Sequence, residues 1–120
     1  MSLRSFAREV ALLGAAVCVL SGSAEAISGD EWRRLPAASR TSYVLGIVDA
    51  WTGLLVVQES LGTNDRAVTA FNDVMTCVRD RAVSTPRITE IVEKYLADHP
   101  GLALKDMPDI VFAALSQTCK

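Results

Sequence analysis

The stretch TPRITEIVEKYLADHPGLALKDMPDIVFAALSQTC, residues 85–119, decides the fold because it holds two amphipathic helix patterns separated by a break. Thr85 followed by Pro86 favours a helix start, since a hydroxyl can cap and proline suits the first turn. Apolar residues at i, i+3, i+4 and i+7 give this first helix one buried stripe, made of Ile88, Ile91, Val92 and Tyr95.

The second pattern begins after His99-Pro100-Gly101, which ends the first helix because a proline biases its predecessor away from helical backbone angles. Asp106 is expected to cap the next helix. The negative charge of Asp109 is placed to offset the positive N-terminal end of the dipole of that helix. The buried stripe of this helix is predicted to consist of Ile110, Val111, Ala114 and Leu115.

The first 26 residues have the layout of a secretory signal peptide. Arg4 and Arg8 precede a short apolar run over residues 10–20, and Ala24-Glu25-Ala26 is a small-residue cleavage site. The run is shorter than the about 20 residues that a membrane span needs, although an uncleaved N-terminal anchor is the alternative. We therefore expect cleavage after Ala26 and a single exported domain over residues 27–120.

Two cysteines remain in the expected domain, Cys77 and Cys119. Export and an even cysteine count together predict a disulfide between them, with two free thiols as the alternative. A domain of this size buries only about 60–70% of its unfolded surface, so a covalent link would add needed stability.

The N-terminal half of the domain predicts further helices. Ser28 and Glu31 form a capping box for a short helix through Leu35 that Pro36 ends or kinks. A long helix is expected over residues 39–61 with a stripe made of Val44, Ile47, Val48, Trp51, Leu54 and Leu55. Asn64 is expected to cap a third helix over residues 65–77. The fold class is therefore all-α, a compact bundle of four to five helices with one disulfide.

Three features of the long helix leave alternatives open. The run at residues 54–57 would also suit a strand. Gly46, Ala50 and Gly53 share one face, which ordinary core packing explains more simply than a binding groove does. Asp49 either faces water or is a buried acceptor, since a buried charge must be paired.

The sequence offers little catalytic chemistry. The single histidine, His99, precedes a proline at a helix end, where a dipole contact explains it better than general-base catalysis. The glycines form no phosphate loop, and one histidine with two paired cysteines supplies no zinc site. The formal net charge of −2 gives no basic footprint for nucleic acid or for a membrane surface. We therefore expect a binding protein without catalytic residues, cofactor or metal.

Several segments resemble the amidase immunity proteins of type VI secretion, the Tai-type family of small periplasmic helical proteins. The matching segments are SGDEW (28–32), YVLGIVDAW (43–51), Cys77 with Val83-Ser84, EIVEKYLADHP (90–100) and IVFAALSQTC (110–119). Family members often carry a second cysteine pair, whose positions here are Pro36 and Arg40. Arg79 and Arg87 stand where proline and glutamine are frequent in the family.

The resemblance implies an inhibitor, often dimeric, that binds and blocks a secreted peptidoglycan amidase delivered by a rival cell. The protein is therefore expected to bind this effector, and it is expected to bind a second copy of itself if it forms a homodimer. The candidate contact loops are 79–84 and 101–107, because they are polar or irregular and flanked by helices. The candidate partner-binding residues are Arg79, Asp80, Arg81, Lys105 and Asp106.

A second hypothesis is a small acid-activated periplasmic chaperone. Proteins of that kind are also compact, helical and closed by one disulfide, and they expose apolar surface in acid. A structural domain of an envelope complex is the third. An amidase encoded beside this gene would favour the inhibitor.

Overall fold

The computed structural model describes residues 25–62 and 66–120, and these form the predicted all-α bundle with one disulfide. In chain order the helices are α1 (Gly29–Arg33), α2 (Ala37–Leu61), α3 (Arg66–Asp80), α4 (Thr85–Asp98) and α5 (Met107–Thr118), with a 3-10 turn at Pro100–Leu102 before α5. Among these residues, β pairing is limited to an isolated bridge between Ser28 and Asp106. The predicted signal peptide falls on residues 1–26, of which 1–24 lie outside the described residues.

Helix α1 begins at the predicted capping box. The Ser28 hydroxyl accepts a hydrogen bond from the Glu31 amide at 3.2 Å, and the Glu31 carboxylate accepts one from the Ser28 amide at 2.7 Å. These reciprocal bonds satisfy amides that a helix start leaves unpaired. The helix ends at Arg33, two residues before the expected end at Leu35.

Trp32 joins α1 to the rest of the bundle. Its side chain is fully buried, and its indole N–H donates to the Arg40 carbonyl at 3.1 Å. The Arg40 guanidinium lies 5.9 Å from the centre of the indole ring, and its Nε lies 3.3 Å from Oε1 of Glu93 on α4. Trp32 and Arg40 thereby connect α1, α2 and α4.

The core lies mainly between α4 and α5. Both predicted stripes face inward, although Ile91 and Tyr95 are only half-buried. The side chains that are almost completely buried come from α1, α2, α4 and α5 and include Trp32, Val44, Ile88, Val92, Leu96, Met107, Ile110, Val111 and Leu115. The stretch over residues 85–119 therefore supplies most of the core, as its two stripes predict.

The caps of these two helices differ from the prediction. Ser84, rather than Thr85, caps α4, because its hydroxyl accepts from the Arg87 amide at 3.4 Å while Thr85 is already helical. Asp106 occupies the predicted cap position of α5, but its side chain makes no capping hydrogen bond.

Helix α2 is continuous through residues 54–57, so the strand alternative is wrong there. Val44 and Leu55 are buried as predicted, whereas Leu54 is exposed. Asp49 faces water. Gly46 and Gly53 are exposed too, and a Cβ added at either would meet nothing within 4 Å. Core packing is therefore the wrong explanation for the small-residue face, which lies opposite the buried one.

An aromatic cluster holds α2, α3 and α5 together. Trp51 meets Phe71 edge-on at 5.6 Å between ring centroids and Phe112 at 6.2 Å. Phe71 and Phe112 are stacked at 6.3 Å. Such ring pairs add about 0.5–1.5 kcal/mol each beyond simple burial. Beyond this cluster most residues are exposed, over 59–62 and 66–70.

Candidate functional site

The segment between α3 and α4, residues 79–84, is called the connector below, and its first part is helical. Helix α3 extends to Asp80, three residues past the predicted end at Cys77. Arg79 and Asp80 are therefore the last turn of a helix and not part of an irregular loop. Their side chains are each 65% exposed and form an ion pair at 3.4 Å, which at such exposure adds little stability.

The connector has a fixed backbone conformation. The Val83 amide donates to the Val78 carbonyl at 3.1 Å, and the Ala82 amide donates to the Arg79 carbonyl at 2.9 Å. This hydrogen-bond pair is the Schellman pattern that ends many helices. Ala82 has φ +49°, the left-handed region that usually requires glycine. The chain therefore turns sharply while Arg79, Asp80 and Arg81 remain in solvent.

The disulfide joins α3, just before the connector, to the end of α5, and it confirms the predicted pairing of Cys77 with Cys119. Cys77 and Cys119 have Cα atoms 6.1 Å apart and are separated by 42 residues in sequence. Close by, the Arg81 guanidinium donates to the Thr118 carbonyl at 3.0 Å. The disulfide thus fixes the backbone next to the exposed side chains of Arg79, Asp80 and Arg81.

An apolar groove between α2 and α3 adjoins the connector. Its volume is about 240 Å³, and it is lined by Val48, Thr52, Leu55, Val56, Glu59, Met75, Val78, Arg79, Ala82 and Val83. Small-molecule sites are typically about 300–1,000 Å³, so this groove suits one or two apolar side chains of a protein better than a cofactor. Arg79 and Glu59 place opposite charges on its lining.

Lys105 and Asp106, the other predicted contact residues, lie at the opposite end of the bundle. Backbone bonds from the Gly29 amide to the Lys105 carbonyl (3.0 Å) and from the Met107 amide to the Ile27 carbonyl (2.9 Å) attach this loop to the start of α1. The length of α4, about 21 Å for 14 residues, separates it from the connector. The five predicted residues therefore form two separate surfaces.

Lys105 belongs to a second concave surface at that end. The depression measures about 290 Å³ and is lined by Tyr95, Leu102, Lys105, Asp109, Ile110 and Ala113. A third, of about 320 Å³, lies between α4 and α5 and is lined by Arg87, Ile91, Lys94, Tyr95, Asp98, Ala114, Gln117 and Thr118. Its charged residues are paired: Arg87 with Glu90 at 2.8 Å and Lys94 with Asp98 at 2.7 Å.

Two carboxyl groups with lowered pKa values lie away from the connector. One belongs to the capping box of α1, and the other forms an ion pair on α4. The pKa of Glu31 lies below its ordinary value mainly because its carboxylate accepts the Ser28 backbone hydrogen bond, and then the Ser28 hydroxyl. The pKa of Asp98 is lowered first by the hydrogen bond from Lys94 and then by the charge of that ammonium group. Hydrogen bonds to a charged carboxylate favour that form. Glu31 lies in the first turn of α1, and Asp98 is the last residue of α4.

His99 is used structurally at the end of α4. Its Nδ1 lies 2.8 Å from the Tyr95 carbonyl, and its ring stacks on Tyr95 with centroids 4.2 Å apart. Across residues 25–62 and 66–120, no group of three or more His, Cys, Asp or Glu side chains is placed to hold a metal ion.

Sequence reasoning missed an exposed apolar surface on α2. Large aliphatic side chains there face solvent, namely Leu45, Leu54, Val56, Val57 and Leu61. By length and composition alone α2 could cross a membrane, although its other face packs on α4 and α3. The sequence does contain a pattern that indicates this surface. Apolar residues occupy every position of the run 54–57, so their side chains point in all directions around the helix and one core cannot bury them all.

Comparison with known proteins adds no homologue. No protein-family model, curated protein or solved structure matches the chain significantly.

Proposed function

We propose that this protein is a periplasmic immunity protein that binds and inhibits a peptidoglycan amidase effector of type VI secretion, and that it has no enzymatic activity of its own. The observation that carries the proposal is the connector, where an exposed charged turn is braced by the Cys77–Cys119 disulfide beside an apolar groove. The segment resemblance to Tai-type proteins supplies the class of partner.

The geometry suits inhibition by docking. An inhibitor must present residues to an enzyme cleft without losing much conformational freedom when it binds, and a preorganised turn reduces that loss. Arginine is enriched among residues that dominate binding energy, and the connector presents Arg79 and Arg81 together. The adjoining groove can receive an apolar side chain from the effector. Charged turn and groove together form one continuous contact surface.

The periplasmic location has two supports. The first is the signal-peptide layout of residues 1–26. The second is the disulfide, because such bonds persist in oxidising compartments such as the periplasm and are rare in the cytosol. We infer that the cleaved protein works free in that compartment, without a membrane anchor.

The test is inhibition of a peptidoglycan amidase, sought first among the products of the genes beside this one, with activity measured as release of peptide from purified peptidoglycan. The purified protein is expected to bind this amidase and stop the release. Replacing Arg79, Asp80 and Arg81 together by alanine should weaken binding by roughly 1–4 kcal/mol, since anchor residues cost that much when truncated. Helical content and melting temperature check that the triple variant is folded.

A matched control removes the same charges elsewhere. Replacing Asp30, Arg33 and Arg34 on α1 by alanine also removes two arginines and one aspartate, and Arg34 and Asp30 form an exposed ion pair. This control should inhibit as the parent does. Equal inhibition by both triple variants would place the contact elsewhere, with Lys105→Ala/Asp106→Ala as the next test. Absence of binding to the neighbouring amidase would count against the immunity function.

One observation favours the chaperone as a second candidate. The exposed apolar side chains on α2 could hold a denatured client, and Asp49 and Glu59 are the only charged residues between Val44 and Leu61. Suppression of client aggregation at low pH, together with failure to inhibit the amidase, would replace the first proposal by this one.

A further inference from the structure

Two concave surfaces meet at the disulfide end of the bundle. Arg79, Ala82 and Val83 of the connector line the groove between α2 and α3, and Thr118 lines the depression between α4 and α5. The Arg81 guanidinium donates to the Thr118 carbonyl at 3.0 Å, so its side chain reaches from the connector to the end of α5. Arg81 therefore lies between the two concave surfaces.

Arg81 carries a charge that no carboxylate of the described residues neutralises. The other two arginines of this end, Arg79 and Arg87, are paired with neighbouring carboxylates at 3.4 and 2.8 Å. Across residues 25–62 and 66–120, Arg81 forms no ion pair, and its guanidinium binds a backbone carbonyl instead. Its positive charge is available to a partner.

The contact with α5 holds the Arg81 guanidinium in place. The C-terminal end of a helix carries about half a negative charge, so it attracts the guanidinium without neutralising it. An arginine side chain has five N–H donors in a rigid fork, and the Thr118 carbonyl takes one of them. The remaining donors can hold a carboxylate through two parallel hydrogen bonds. Because this side chain is already positioned, it loses less freedom when a ligand binds.

The start of α4 adds positive potential to the same surface. This helix begins at Thr85, four residues after Arg81, and its first turn contains no acidic residue. The N-terminal end of a helix carries about half a positive charge, which favours anions nearby. Arg87 belongs to this turn and lines the depression together with Thr118. This end therefore attracts an acidic group, although the whole chain has a formal net charge of −2.

The adjoining groove selects a protein segment over a free anion. Ala82 and Val83, the two residues after Arg81, line that groove with apolar side chains of α2 and α3. Consecutive Cα atoms of a peptide are 3.8 Å apart, so a segment whose carboxylate binds Arg81 would place a neighbouring side chain at the groove. A free anion such as phosphate gains nothing from an apolar groove.

We infer that Arg81 binds a carboxylate of the protein that docks on the connector, and that an apolar residue next to this aspartate or glutamate enters the groove between α2 and α3. The identity of the partner, a peptidoglycan amidase, rests on the proposed function. The chemistry of its docking segment follows from the charge of Arg81 and from the groove. Because the contact is open to solvent, it contributes to specificity and association rate and weakens in salt.

The first experiment measures binding to an amidase that the parent inhibits, at several salt concentrations. Arg81→Gln removes the charge but keeps a donor for the Thr118 carbonyl, and it should weaken binding roughly tenfold or more. The salt dependence of binding should become shallower. Arg81→Lys should recover part of the loss, because an ammonium group keeps the charge but lacks the planar fork. Circular dichroism verifies that the variants are folded.

A matched control removes an arginine charge at another place. Arg33 on α1 also forms no ion pair within the part of the chain that the structure describes. Arg33→Gln should bind the amidase as the parent does, with the same salt dependence. An equal loss in Arg33→Gln and Arg81→Gln would show a general charge effect and would overturn the inference.

The second experiment needs no amidase, so failure of the inference and failure of the proposed function can be distinguished. The probe is the synthetic peptide acetyl-Leu-Glu-Leu amide, and acetyl-Leu-Gln-Leu amide is its neutral control. Nuclear magnetic resonance follows the Nε–Hε signal of Arg81, which is assigned by its loss in Arg81→Gln. The acidic peptide should shift this signal at roughly millimolar concentration, where single charge-assisted contacts are populated, whereas the neutral peptide should not.

The outcomes separate the two proposals. An amidase that binds Arg81→Gln as tightly as the parent would overturn the inference and leave the immunity function in place. A shift with the acidic peptide in a protein that binds no amidase would retain the carboxylate site and count against the immunity function. Equal shifts with both peptides, an equal shift with inorganic phosphate, or no shift in a protein that also binds no amidase would overturn the inference.

Discussion

Two regions of the molecule are similarly rich in apolar residues and bury them very differently. Residues 85–119 place nine side chains in the interior, because their apolar residues are segregated on one face of each helix. In residues 52–62 and 66–73, Leu55 is the one buried residue. The apolar residues of the end of α2 are spread around the whole helix, so packing one side leaves the other in water. Apolar content therefore does not by itself decide burial.

Buried polar atoms without a hydrogen-bond partner occur in both regions. In the part of the chain that the structure describes they are Gln58 Oε1, Asn72 Oδ1 and Ser116 Oγ, together with Arg40 Nε near the start of α2. An unpaired buried polar atom costs about 1–3 kcal/mol. Residues 52–62 and 66–73 have two such atoms against one buried residue, whereas residues 85–119 have one such atom against nine buried residues. We therefore expect the first region to open more readily than the second.

The largest expected effect comes from removing the disulfide by replacing both of its cysteines, Cys77→Ser and Cys119→Ser. The free energy of unfolding should fall by roughly 2–5 kcal/mol, because the open chain gains conformational freedom in the unfolded state. Urea unfolding measures it, and reduction of the parent should reproduce it. A loss below about 1 kcal/mol would mean that packing alone holds α3 to α5.

A matched pair of valines tests the contrast in burial directly. Val111→Ala, in the fully buried position on α5, should cost roughly 1–3 kcal/mol through lost packing and a residual cavity. Val57→Ala, at a site 53% exposed, should change unfolding by no more than about 0.5 kcal/mol in dilute monomer. Equal costs at the two sites would contradict the comparison.

A pair of glycines tests the same contrast by adding a methyl group. At Gly29 a Cβ would lie 2.8 Å from Ile110 Cδ1 and 3.1 Å from Leu96 Cδ2, so Gly29→Ala should destabilise by roughly 1–3 kcal/mol. At Gly46 the space is open and the residue is inside a helix, so Gly46→Ala should stabilise by up to about 1 kcal/mol. Thermal unfolding at low concentration would show opposite signs if the comparison holds.

Ala82→Gly tests the connector between the two regions. Its φ of +49° strains any residue that has a Cβ, and glycine removes that strain. We expect a gain of about 1 kcal/mol in the free energy of unfolding, measured by urea unfolding. A loss of stability would show that the Ala82 methyl group contributes packing beside the groove that exceeds the backbone strain.

The smallest effect is the pH dependence of the α1 cap. Because the folded pKa of Glu31 is depressed, its contribution to stability is complete above the unfolded value of about 4.3 and disappears as the pH falls through the folded value. Nuclear magnetic resonance titration should give a Glu31 midpoint below that of an ordinary glutamate. The stability difference between the parent and Glu31→Gln should shrink in acid. A normal midpoint would contradict the capping box.

The sequence by itself determined the all-α class, the two stripes of residues 85–119, the capping box at Ser28 and the pairing of Cys77 with Cys119. These follow from local rules, since helical periodicity and capping depend on residues within one or two turns, and two remaining cysteines allow one pairing. The same rules misplaced the α4 cap at Thr85 and ended α3 at Cys77, because neighbouring residues satisfied the pattern almost equally well.

Only the tertiary structure decided which side of α2 is covered. Leu54 and Leu55 are adjacent and chemically identical, yet one is exposed and the other buried, since burial depends on where α3 and α4 lie around the helix. For the same reason Gly46 and Gly53 belong to an open face and not to the core. The predicted contact residues divided between two ends of the bundle because α4 runs the length of the body between them. Distances between segments arise from packing, which no local pattern encodes.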